Sequence, residues 1–89
     1  MRSQGKFDEA IKIVRERIEV IRRQKGNETP EVCASLTGLG SFLIEKGVFA
    51  EAEENLRAAE TIYRKLFDAA NMQLGDNLRL QAQAFLALR

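Results

Sequence analysis

Three features of this 89-residue chain could carry chemistry: a lone thiol, a run of carboxylates, and two closely spaced glycines. Cys33 is the single cysteine, and the chain has no histidine, the commonest general base and metal ligand. With no base to take its proton, and set among Val32, Ala34 and Leu36 on a predicted helix, Cys33 reads as a small buried or groove-edge thiol. Its place near a helix N-terminus, which favours a thiolate, is the one feature pulling towards reactivity. Glu51, Glu53 and Glu54 have the composition of a cation site without the spacing. A calcium loop alternates oxygen ligands around a glycine turn, whereas these residues open a helix and complement the positive end of its dipole. Gly38-Leu39-Gly40 is not a phosphate loop, because no strand precedes it and no Lys-Ser/Thr follows. The expectation is a chain with no catalytic residue, no metal site and no cofactor.

The elements that hold these residues are helices. Hydrophobic content of 45% with 30% charge is that of an ordinary globular chain, and one proline with six glycines is too few for an all-β fold. The length allows one small domain. Phe7, Ile11, Val14, Ile18 and Ile21 recur at alternating spacings of 4 and 3, the stripe of an α-helix over residues 6–25. A second stripe, Ala10, Ile13 and Val20, lies beside it and is interrupted by Arg17, so two neighbours are expected to cover this helix. Gly26 closes it, Thr29 caps the next, and Pro30 takes the first helical position, where no N–H is needed. That second helix, 30–46, carries Val32, Leu36, Leu39 and Leu43 on one face. Gly38, Gly40 and Ser41 within it are poor helix formers that suggest close approach of another backbone.

Gly47 ends the second helix with almost no loop behind it, so the third must fold back antiparallel. Phe49, Ala52, Leu56, Ala59, Tyr63, Leu66 and Ala70 extend the third helix over 49–74, unusually long at nearly 40 Å for a rise of about 1.5 Å per residue. Gly75-Asp76-Asn77 is expected to break it, ahead of a fourth helix over 77–88. The fold class is therefore all-α, about four antiparallel helices in one module spanning 1–89.

A self-similarity runs through this layout. Gly5-Lys6-Phe7-Asp8-Glu9-Ala10 returns 42 positions later as Gly47-Val48-Phe49-Ala50-Glu51-Ala52, and the same offset pairs Arg15 with Arg57 and Arg22 with Arg64. A fixed period of this size marks a stacked helical repeat. After Asp68 the match improves at an offset of 49, which reads as a two-turn extension of the third helix.

With Ser35-Leu36-Thr37-Gly38-Leu39-Gly40, the doubled Gly-x-Phe-x-Glu-Ala block and the Gly26–Pro30 linker, the chain resembles a tetratricopeptide repeat (TPR) of the kinesin-light-chain type. The resemblance covers nearly all of it and implies helix-turn-helix repeats, a TPR-like α-solenoid fragment in B-A-B-A order. One full repeat is flanked by two halves, so either the chain is a fragment of a larger array or another copy closes its ends. There are departures: Arg17 replaces a small alanine that Ala59 keeps, and Asn55 holds a position that is usually apolar. Thr37 and Gly38 stand where that family often presents asparagine, so its acidic-peptide specificity does not carry over.

The resemblance further implies a concave groove lined by A helices. Here that groove would hold Ala34, Thr37, Gly38, Ser41, Ile44 and Glu45, with Gln83 and Leu86 on the last helix. These are small and neutral for the most part and lack a Lys/Arg clamp for a carboxylate terminus, which favours a hydrophobic or helical protein partner. The rival from the same architecture is self-assembly, a homodimer or domain-swapped dimer completing the half-repeats. A third class, nucleic-acid binding, would use residues 1–25, which carry eight Lys/Arg against four Asp/Glu. Asp8, Glu9, Glu16 and Glu19 alternate with those cations, the pattern of a solvated helix face. No apolar run is longer than five residues (Ala84–Leu88), too short for a membrane span, and residues 1–4 do not read as a signal peptide. A lone cysteine points to a reducing compartment, and the expected location is cytoplasmic.

Overall fold

The computed structural model describes residues 2–67 and 72–88, with residues 2–5 and 72–74 described as backbone only. Four helices follow in order: α1 Arg2–Lys25, α2 Pro30–Lys46, α3 Phe49–Leu66 and α4 Met72–Leu88. The chain is all-α, and no strand occurs among the described residues.

The first two turns form as their residue types dictate. Gly26 takes a left-handed φ of +97°, and the Thr29 Oγ1 accepts the Val32 amide at 3.2 Å. Pro30 opens α2 and Lys25 bridges to Glu31 at 2.9 Å across the linker. At the other end of α2, Gly47 has φ +92°, its N–H reaches the Ile44 carbonyl at 3.0 Å, and that of Val48 reaches Leu43 at 2.8 Å. This paired closure needs a left-handed residue, which glycine adopts without a Cβ penalty. Only Val48 separates it from α3, so α2 and α3 form a tight antiparallel hairpin.

The third helix is not long. It stops at Leu66, and Phe67 is extended at φ −132°, ψ 151°, with its amide bonded to the Tyr63 carbonyl at 2.9 Å. The expected continuation over 68–71 lies outside the described residues. Gly75, Asp76 and Asn77, expected to break the chain, lie inside α4. The offset of 49 is overturned with them: it pairs Gly75, inside α4, with the turn residue Gly26, whereas an offset of 42 pairs α4 with α2, helix with helix. Packing explains both corrections. Asn77 is fully buried against α3, and its amide donates to the Leu56 carbonyl at 3.0 Å. That bond requires the chain to have reversed before α4, and tertiary contacts override the weak local preferences of a helix-compatible stretch. Gly5, expected to mark a turn, is likewise helical, because α1 begins at Arg2.

The core runs along α2. Val32, Cys33, Leu36, Leu39 and Leu43 are buried between Ile11 and Ile18 of α1 and Ala52, Ala59, Ile62 and Tyr63 of α3. The molecule measures 39 × 30 × 18 Å, a slab two helices thick at about 10 Å each. Among the described residues α2 lies beside α1, α3 and α4, and α3 beside α4, while the backbones of α1 and α3 do not approach one another. The stack is therefore bent, with α2 and α4 on its inner side.

Candidate partner-binding surface

The residues that could have carried chemistry are engaged otherwise. The Cys33 thiol is fully buried and donates to the Ala59 carbonyl at 3.7 Å, and burial pushes its pKa up to about 11. A protonated, inaccessible thiol is inert. Glu51 pairs with Arg15 of α1, and Glu53 with Arg57 one turn along at 3.0 Å. Among the described residues no group of three His, Cys, Asp or Glu could hold a metal ion. Nor is any helix long and apolar enough to cross a membrane.

The two mid-helix glycines separate in meaning. A Cβ on Gly40 would stand 2.6 Å from the Leu56 Cγ, so this glycine exists for the α2–α3 contact. A Cβ on Gly38 would meet nothing within 4 Å. Internal packing gives no reason for Gly38, which instead lies in the floor of an open groove.

That groove, about 500 Å³, runs between α1 and α2 and is mostly apolar. Ala10, Ile13, Val14 and Arg17 form the α1 wall; Ala34, Ser35, Gly38 and Phe42 form the α2 wall. Of the eight groove residues expected from the sequence, it takes Ala34 and Gly38. Thr37 and Ala34 border a smaller cavity of about 150 Å³ with Tyr63 and Asp76. Ser41 and Ile44 are half-buried on α2, Ile44 against the core, while Glu45, Gln83 and Leu86 are exposed. The expected set is thus not brought together: Ala34 and Gly38 line the groove, Thr37 borders the smaller cavity, and Gln83 and Leu86 lie on α4. The α1 wall was absent from it, although the Ala10/Ile13/Val20 stripe was the available signal.

Asn77, expected as a cap, is the polar centre of the α2–α3–α4 junction. Besides Leu56, its amide donates to the Thr37 hydroxyl at 3.2 Å, and its carbonyl oxygen accepts from Gln81 at 2.7 Å. Gln81 also donates to Glu60 at 2.9 Å, and Arg64 to the other Glu60 oxygen at 2.7 Å. Those two bonds, Gln81's foremost, hold the Glu60 carboxyl below the usual glutamate range. Thr37 is therefore committed to holding α4 rather than facing an open groove.

The last turns of the stack expose apolar surface. Leu78 is 40% exposed and Phe85 56%, with Leu86 and Leu88 also open. On α1, Ile13 is 56% exposed and Val20 is open beside it. Together these features define a bent array of antiparallel helices with a 42-residue structural period. No family model, no curated protein and no solved structure matches the chain.

Proposed function

We propose that this chain is a protein–protein interaction scaffold, a TPR-like array that receives a peptide or helix on its inner, α2/α4 side. The observation that carries the proposal is the arrangement of the repeat. α2 and α4 occupy equivalent positions 42 residues apart, adjacent on the inner side of the bend, and offer side chains to a partner without a catalytic group among them. Ser41, Ile44, Gln83 and Leu86 would give that partner apolar contact with few charges, which suits a hydrophobic segment. No enzymatic step and no cofactor enter the proposal, and a buried reduced thiol suits a cytoplasmic setting. Nucleic-acid binding is the weaker reading, because Arg15 and Lys25 of the basic helix already pair with Glu51 and Glu31.

Selection of displayed random peptides on the immobilised chain tests the proposal. Apolar peptides should emerge, and Ile44→Asp or Leu86→Asp should weaken them about tenfold or more. Thr61→Glu, an exposed position on α3, should leave them unchanged. Failure to select any peptide, or peptides indifferent to Ile44 and Leu86, sinks it.

A further inference from the structure

We infer that copies of this chain stack head to tail, α4 of one copy seating in the α1/α2 groove of the next. The inference rests on the scaffold reading and names a partner for it. Its warrant is that the molecule already contains this interface once. Shifting the groove-lining residues by 42 positions turns the α1 wall Ala10, Ile13, Val14, Arg17 into Ala52, Asn55, Leu56, Ala59 of α3. The α2 wall shifts onto α4, where Ser35 becomes the buried Asn77 and Phe42 the buried Ala84. That equivalent seat is filled, and its occupant is α2, through the Gly40–Leu56 contact, the Cys33–Ala59 bond and the Thr37–Asn77 bond. Shifting α2 in turn by 42 gives α4. The α4 face equivalent to α2's buried Leu36 and Leu43 is Leu78 and Phe85, both exposed.

Side-chain sizes exchange across the two seats. Where α2 presents Gly40 to Leu56, α4 would present the larger Ala82 to the smaller Val14. Where Cys33 lies over Ala59, Gly75 would lie over the larger Arg17. Where Thr37 meets Asn77, Arg79 would meet Ser35, and the open space at Gly38 accommodates its greater length. Each pair trades bulk from one partner to the other, which is what packing at fixed spacing requires. The contact joins two different surfaces and leaves one of each free, so a pair of copies can add a third.

Sedimentation of the full chain over rising concentration tests this. Species growing beyond a dimer are expected. Ile13→Glu blocks the groove and Leu78→Glu blocks α4, both at exposed positions whose helicity circular dichroism verifies. Each variant alone should weaken assembly about tenfold or more, and their mixture should form a 1:1 pair that grows no further. Should either fail to fold, Val20→Glu and Ala82→Arg replace them. A wild-type chain monomeric throughout, a closed dimer that the mixture does not restore, or a variant assembling like wild type overturns the inference. Peptide selection on the wild-type chain keeps the two failures apart: a chain that stays monomeric yet still selects peptides loses the stacking and keeps the scaffold.

Discussion

α2 and α4 have the same place in the repeat, yet one is core and the other is half surface. Leu36 of α2 is 3% exposed and its counterpart Leu78 is 40%; Leu43 is 2% and its counterpart Phe85 is 56%. The residues remain apolar at both sites, so the difference is one of neighbours. α2 has a helix on each flank, while α4 is packed by α3 and, on the inner side, by α2. In a stacked array each unit buries its face on the next, so burial follows position in the stack and not the side chain's own preference.

Substituting matched residues is the sharpest way to break this comparison. Leu36→Ala removes a side chain enclosed by α1 and α3 and should cost about 2–5 kcal/mol in urea unfolding. Leu78→Ala, measured where the chain is dilute, should cost about 1 kcal/mol or less. Equal losses at the two sites would mean that α4 is packed on both faces in solution.

Asn77 comes next in size. Asn77→Ala strips the partners from the Leu56 carbonyl and the Gln81 amide at a buried site and should destabilise by about 1–3 kcal/mol. Ser35→Ala, the equivalent change on α2, removes a hydroxyl at the edge of the open groove and should cost less than about 0.5 kcal/mol. Thermal unfolding of the pair would show whether polar bonding or apolar cover is what fixes α4 on α3.

The glycines refine the contrast within a single helix. Gly40→Ala places a methyl group 2.6 Å from the Leu56 Cγ and should lose about 1 kcal/mol or more, overpacking exceeding the gain in helix propensity. Gly38→Ala meets open space and should gain about 0.5–1 kcal/mol. Gly40→Ala combined with Leu56→Val reproduces the Ala82/Val14 combination and should recover part of the loss.

How much of this was legible in the sequence depends on whether the signal was local. Gly26, Thr29-Pro30 and Gly47 act through their own backbone, and the boundaries they set at Lys25, Pro30 and Lys46 are those observed. The end of α3 was not legible, because no glycine or proline stands near Leu66 and the reversal is enforced by contacts between α3 and α4. Gly75-Asp76-Asn77 misled for the same reason: its local turn preference yields to the burial of Asn77. Two of the groove's eight lining residues were legible. Ala34 and Gly38 follow from counting along α2, but the α1 wall requires knowing that Ile13 faces the same space. The spacing alone also could not separate Gly38 from Gly40, since one is small for Leu56 and the other is not constrained by any neighbour.

The last contrast concerns Cys33 and its counterpart Gly75, the one buried and the other exposed. Burial lifts the thiol from 9.0 to about 11, so the folded chain holds that proton more tightly than the unfolded chain does. The resulting stability is fully present below pH 9 and is lost as pH rises through about 11, the unfolded thiol ionising first. Burial and the neighbouring Cys33 also raise the Tyr63 hydroxyl, so the two groups are coupled. The difference between the urea-midpoint profiles of wild type and Cys33→Ala reads the thiol together with its effect on Tyr63. Wild type should fall more steeply than the variant between pH 9 and 11 and run parallel to it below pH 9. In the same window a thiol reagent should modify Cys33 only at the rate at which the chain opens. A thiol that reacts in the folded chain at pH 8 as fast as in denaturant would give α2 an exposed flank like that of α4, and the distinction between the two helices would fall with it.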